Sequence, residues 1–244
     1  MTLAINSLRS EPAASETARK VEALGHHPIL LPLKKCVCET NITLPPRDQI
    51  SGFIFTSANA IRCINENTKI KDTYLKLPTF CVGSRTSEIA KEMGFSNVTC
   101  GEGGGKSLAK VIISQHNSSI LNTSVKAPLL YLTLEKRTPD LEQALENTNI
   151  FIKPIVSYEM VDEISNQSLK NALESSHIDI VLFYAQSAVR RFFAIEDELQ
   201  HNLFTSMQFG CLSKEIAGVI PRHFADQIVI AEKPNETHLL ACIG

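Results

Sequence analysis

A phrase that occurs twice constrains the fold of this 244-residue chain more than any other feature. Phe55-Thr56-Ser57-Ala58-Asn59-Ala60-Ile61-Arg62 is echoed far downstream by Phe183-Tyr184-Ala185-Gln186-Ser187-Ala188-Val189-Arg190. In both, a strand-like apolar run meets small polar residues and then a helix-like stretch. A strand ending in residues that start a helix points several backbone N–H groups at one spot, which makes it an anion site. Two such corners predict two similar α/β lobes that grip one polyanionic ligand between them.

The rest of the chain keeps this rhythm. Leu3-Ala4-Ile5 reads as a short strand, Glu11 to Leu24 as an amphipathic helix capped by Gly25, and Pro28 to Leu33 as a second strand. Lys34 to Ile50, with Pro45-Pro46, reads as an irregular crossing. Strand 52–55, helix 58–66, strand 79–82, helix 84–93 and a short strand from Val98 follow. Next come a helix near 106–115, strand 128–132, helix 138–147 and strand 150–156. The last set is helix 165–175, strand 178–184, helix 187–198, strand 208–212, helix 213–220, strand 227–231 and helix 235–242. Such alternation predicts parallel βαβ units and doubly wound sheets.

A second repeat, Ala23-Leu24-Gly25 through Leu31-Pro32-Leu33 against Ala144-Leu145 through Lys153-Pro154-Ile155, widens the duplication. The first strand, helix and strand are too few for a domain, and the last set begins on a helix. The economical division is a discontinuous terminal domain, 1–34 plus 160–244, and an inserted middle domain, 37–156. The chain then crosses twice, near Lys34–Cys38 and Ser157–Val161, which permits hinge motion.

Composition removes several function classes. A net charge of −2 excludes capture of nucleic acid by a general basic field. Seven cysteines, an odd number without a C-x-x-C pair, fit a reducing compartment better than a disulfide framework. Cys36-x-Cys38 is too close-set for the usual zinc knuckle, so no metal is expected. Gly101 to Ser107 imitates a phosphate-binding loop, but the required first glycine is Cys100. His26-His27 reads as a solvated turn. No stretch is apolar enough to span a bilayer, and Met1 to Leu8 does not read as a signal peptide. The expectation is a cytoplasmic protein.

In their order and spacing, several of these segments resemble the uroporphyrinogen-III synthase family. They are Ala23-Leu24-Gly25-His26 with Leu31-Pro32-Leu33, Phe53 to Ala60 with Arg62, Val82-Gly83-Ser84-Arg85-Thr86, and Ile155-Val156-Ser157-Tyr158-Glu159. The resemblance covers nearly the whole chain. It implies two flavodoxin-like domains with a cleft between them, and a monomeric lyase of haem and other tetrapyrrole synthesis that needs no cofactor. The substrate would be hydroxymethylbilane, a linear tetrapyrrole with eight carboxylates. Loss of its terminal hydroxyl as water leaves an azafulvene, and ring D closes inverted through a spiro intermediate to give uroporphyrinogen III. Transient contact with the preceding pathway enzyme is a further expectation. The alternative is a two-lobed binding or regulatory module of the same fold that has lost turnover.

Such a substrate suits helix N-termini, which bind carboxylates without added charge. The expected substrate-binding residues are Thr56, Ser57, Ala58 and Asn59, then Gly83, Ser84, Arg85 and Thr86, and from the terminal lobe Gln186, Ser187 and Ala188. Gly101 to Ser107 offers a fourth corner. Tyr158, matching the family tyrosine after the second crossing, is the expected catalytic acid facing the cleft. The same residues also have plain readings, as N-caps and as an amphipathic boundary tyrosine. Departures from the family pattern gather in the terminal lobe. Ser213 and Ile216 stand at the glycine and threonine places there, and Ala185 at a serine place. Arg9 lacks its usual neighbours. In the middle domain, Leu134 and Thr138 stand where glycine and arginine are common, with Arg137 adjacent.

Overall fold

The structure is a computed structural model and describes residues 2–68, 72–196 and 203–243. The chain divides into two compact units, Met1–Lys35 with Val161–Gly244, and Cys36–Met160. The last positions of the predicted helix 187–198 lie outside the described residues.

The middle unit is built on five parallel strands: β4 (Gly52–Phe55), β5 (Thr79–Cys81), β6 (Val98–Cys100), β7 (Leu129–Thr133) and β8 (Ile152–Val156). They lie in the order β6-β5-β4-β7-β8. Alternation along β4 sorts the two faces. Phe53 and Phe55 point to one side, where they pack with Ala60, Ile61 and Ile64 of α2 (Ala58–Thr68) and with Ile89 and Ala90 of α4 (Ser84–Glu92). Ile54 points to the other, against Leu108 and Ile112 of α5 (Gly105–Asn117) and Leu141 and Leu145 of α6 (Asp140–Leu145). A short helix, α3 (Asp72–Leu75), precedes β5. The result is a sheet covered by helices on both faces.

The terminal unit uses β1 (Ala4–Ser7), β2 (His27–Leu30), β10 (Ile180–Phe183), β11 (Gln208–Cys211) and β12 (Ile228–Ile230), all parallel, in the order β12-β11-β10-β1-β2. Its helices are α1 (Ala13–Ala23), α7 (Asn166–Ser175), α8 (Gln186–Phe193), α9 (Lys214–Ala217) and α10 (Glu236–Ala241). Gly25, at φ +81°, ends α1 by letting its own N–H and that of His26 bond back to Glu22 and Val21. One face of this sheet carries six interlocking phenylalanines, Phe183, Phe192, Phe193, Phe204, Phe209 and Phe224. Started from β10 and continued through β1, the strand order matches that of the middle unit started from β4. The repeated phrase therefore occupies equivalent β4–α2 and β10–α8 corners. The two repeated proline segments run through the equivalent strands β8 and β2, with Pro154 inside β8 and Pro32 just past the end of β2.

The chain passes between the units at β3 (Lys34–Cys38) and β9 (Tyr158–Asp162), which form a separate two-stranded sheet. A disulfide joins Cys38 of β3 to Cys63 of α2, with Cα atoms 5.1 Å apart. The odd cysteine count points away from such a bond; the fold overrides it by bringing β3 against the inner face of α2. Among the described residues no helix is long and apolar enough to cross a membrane.

In the terminal unit the carboxylate of Glu236 is gathered by four donors. Arg9 and Tyr184 lie at 2.7 and 2.9 Å, Thr17 at 2.6 Å, and Lys20 completes the set. The Arg9 guanidinium also stacks 4.2 Å from the centre of the Tyr184 ring. Burial pushes the Glu236 carboxyl up, but the Lys20, Thr17 and Tyr184 hydrogen bonds and the Arg9 charge outweigh it, so the group titrates below its usual 4.5. A depressed carboxyl stabilises the fold above the unfolded value and loses that contribution as pH falls through the folded one. Glu236→Gln should therefore lower the thermal midpoint at pH 7, and the gap from the parent protein should close as pH drops below about 4.5. Melting curves across that range check it.

Candidate active site

In the middle unit, β4 connects outward to β5 on one side, while the chain returns from β6 to β7 on the other. The helices leaving β4 and entering β7 therefore cover opposite faces, and the sheet's order reverses between these two strands. A crevice forms outside the carboxyl ends of strands at such a point. Here it is a cavity of about 350 Å³ whose lining includes Thr56, Tyr131, Thr133, Lys136, Arg137 and Tyr158, together with Gly104 and Gly105.

Thr56 directly follows β4, and its hydroxyl lies 3.1 Å from the phenol oxygen of Tyr131. Thr133 ends β7 and is buried. Arg137, in the turn after β7, is held by Glu142 at 2.6 Å and by the carbonyls of Leu134 and Glu135, and stacks 5.5 Å from the Tyr131 ring. Lys136 beside it is exposed and forms no ion pair among the described residues. The first turn of α5 adds backbone donors. Its N-cap Gly104 sits at φ +77°, a conformation that side chains resist, and no side chain caps the helix. The crevice thus presents one exposed cation, one anchored cation, hydroxyls and uncapped N–H groups, a set suited to carboxylates.

Tyr158 opens β9 and is only 4% exposed, packed in the core that holds Phe55 and Leu132. Burial raises its phenol above the usual 10, opposed by a hydrogen bond with Ser57 and reinforced by Cys36 and Tyr131. At neutral pH it is therefore a protonated, persistent donor rather than a phenolate.

The remaining expected residues are distributed differently. The Ser57 hydroxyl accepts from the Asn59 N–H at 3.2 Å, the ordinary duty of a residue before a helix, and the Asn59 side chain bonds Met160 and Arg62. Ala58 starts α2 but, like Ser57 and Asn59, does not line the cavity. Of the second corner Val82 lines the cavity, whereas Gly83, Ser84, Arg85 and Thr86 do not; Arg85 pairs with Glu88 and Thr86 is buried. Gln186, Ser187 and Ala188 begin α8 in the terminal unit. The Gln186 amide bonds the Glu215 carbonyl, Ser187 is exposed, and Ala188 packs on the core. Ile216, at the threonine place of that unit's second corner, is buried in the same core, leaving backbone groups alone to meet a ligand.

Tyr131, Thr133 and Lys136 escaped the sequence reading. Their signal was positional: they flank the end of the strand that pairs with β4, and that pairing is visible only once the strand order is known.

A model of the family described as "Uroporphyrinogen-III synthase HemD" matches residues 15–241. A search of curated proteins gives no match. Among solved structures, the chain is similar to uroporphyrinogen-III synthetase from Helicobacter pylori 26695, at 19% identity, TM-score 0.63, and coverage of 99% of this chain and 97% of that one. It is also similar to a mutant uroporphyrinogen III synthase from the extremely thermophilic bacterium Thermus thermophilus, at 17% identity, TM-score 0.55, and coverage of 98% and 96%. At these identities the structures support the two-sheet α/β fold.

Proposed function

The chain belongs to the uroporphyrinogen-III synthase family, and from that premise we propose that the crevice at the ends of β4 and β7 holds the reacting part of the substrate. The enzyme is a cofactor-independent lyase of porphyrin synthesis that cyclises hydroxymethylbilane to uroporphyrinogen III with loss of water. The observation that carries the proposal is the convergence of Tyr158, Thr56, Lys136 and Arg137 on one cavity at the reversal of strand order.

In this reading, Lys136, Arg137 and the first turn of α5 hold acetate and propionate side chains. Thr56, with Tyr131 behind it, orients a pyrrole edge or carboxylate. The protonated Tyr158 phenol donates to the departing hydroxyl, so that the C–O bond breaks to water and the azafulvene. Ring D then attacks through its substituted carbon, the spiro intermediate reopens, and closure follows with the ring inverted. Because the azafulvene is itself reactive, holding the bilane in a closure-ready shape contributes more than acid assistance alone. Gly83 to Thr86, at the start of α4, serve as outer backbone donors to other carboxylates. The start of α8 in the terminal unit offers anions the Gln186 and Ser187 N–H groups, while that of Ala188 is taken by the Ala185 carbonyl.

Incubating the purified protein with hydroxymethylbilane and resolving the isomers tests the reaction. Type III product is expected; type I alone, the spontaneous product, would overturn it. Lys136→Ala should raise KM by about 2–5-fold with kcat nearly unchanged, the scale of an exposed ion pair. The effect should fade at high salt. Steady-state kinetics at two ionic strengths check this. The family resemblance carries the further expectation of a cytoplasmic monomer that meets the preceding pathway enzyme transiently; sedimentation with and without that enzyme checks the last two.

A further inference from the structure

Cys36, Cys38 and Cys63 bring their three sulfurs within 4.8 Å of one another in the middle unit. A disulfide accounts for two of them. The third is aimed at the same point for a structural reason. Cys36 and Cys38 are two apart on β3, so they share its inward face, while Val37 between them points outward. Cys63 reaches them from the buried face of α2, and the Cys36 and Cys63 sulfurs stand 3.8 Å apart. That spacing matches the edge of a tetrahedron with metal–sulfur bonds of about 2.3 Å, which works out at roughly 3.8 Å.

We propose that the reduced Cys36–Cys38–Cys63 cluster binds one thiophilic divalent cation of the zinc type through three thiolates, leaving a fourth position open. Soft thiolate sets select such d¹⁰ ions over magnesium or calcium. The separation of Cys36 and Cys38 argues against a zinc knuckle only while both ligand pairs are sought along the chain; Cys63 supplies the third ligand through space. The other cysteines are not arranged this way: Cys81 and Cys211 are buried, with thiols pushed up to about 12, and Cys100 and Cys242 lie exposed. The metal would tie β3 to α2 in reducing surroundings, the same link that the disulfide makes in oxidising ones.

The chemistry balances. A trialkylphosphine and water reduce the Cys38–Cys63 bond to two thiols and yield the phosphine oxide. Binding of the dication then displaces three thiol protons. The experiment titrates the phosphine-reduced full chain with cadmium and follows the sulfur-to-cadmium charge-transfer band, with zinc as competitor. The expected result is one cadmium per chain, displaced by zinc only in excess because the softer cadmium holds thiolates more tightly, with close to three protons released. The band should be absent from the oxidised chain. Cys36→Ser and Cys38→Ser should each weaken binding by at least the roughly 10–100-fold that losing even an outer partner of a ligand costs. A Cys100→Ser/Cys242→Ser double variant should bind normally. No stoichiometric band in the reduced protein, or a band that survives both Cys36→Ser and Cys38→Ser, would overturn the proposal. Proton release from the unmutated chain decides the matter where a variant folds poorly: near zero counts against it.

Discussion

Replacing Tyr158 with phenylalanine is expected to slow type III formation by roughly 10²–10⁴-fold, the range of a positioned general acid. The variant keeps the ring that packs in the core and removes only the oxygen that Ser57 engages. Its melting temperature should therefore stay close to that of the parent, which separates lost chemistry from lost folding. The drop should fall on kcat, because the phenol assists bond breaking more than it holds carboxylates. The pH profile offers a second readout. With the phenol raised above 10 by burial, the acid form persists through the neutral and mildly alkaline range. Activity should not decline there on account of Tyr158. An unaltered turnover number in Tyr158→Phe would remove it from the mechanism and leave positioning as the whole of the catalysis.

The largest loss of stability is expected from Phe192→Ala, at about 3–5 kcal/mol. Phe192 is fully buried and meets Phe183, Phe193 and Phe204 with centroids 5.5, 5.2 and 5.5 Å away, all near edge-to-face. Removing it opens a cavity that the stacked rings around it cannot collapse to fill. The expected cost is a large part of the roughly 5–15 kcal/mol that typically separates folded from unfolded protein. Denaturant titration with a probe in the terminal unit should show an early transition. A midpoint shift equivalent to less than about 1 kcal/mol would mean that the neighbouring rings repack.

Strand–helix alternation was legible because the apolar period changes sharply from two to three or four at each corner, as at Phe55 and Phe183. The two strands β3 and β9 were not. Lys34–Cys38 carries lysine and cysteine where strands favour β-branched residues, and its alternation reads as polar irregularity until the inward cysteines are seen. The helix expected over 213–220 shrinks to Lys214–Ala217, since Gly218 follows it and Pro221 lies just beyond. Pro154 sits inside β8, which the edge position of that strand allows, whereas Pro32 falls after β2. For the site, Thr56 and Tyr158 could be named from sequence because each adjoins a recognisable segment. Lys136 and Tyr131 could not, because the crevice is a property of strand order rather than of any local phrase. The cysteine cluster was hidden for the same reason.

The pairing of β1 with β10 has a consequence for how the protein is made. Ala4 bonds the Asp179 carboxylate across 175 residues of chain, and Ile5 lies beside Ile180. During synthesis the first two strands of that sheet leave the ribosome long before β10 exists to pair with β1. The middle unit, contiguous from Cys36 to Met160, is complete while the terminal sheet still lacks three of its five strands. Vectorial folding would thus build the Tyr158 crevice first and leave β1 and β2 waiting with an exposed edge. During that interval the nascent chain is most open to mispairing and most in need of a chaperone. A circular permutant opened ahead of α7 would make both units contiguous and shorten the wait.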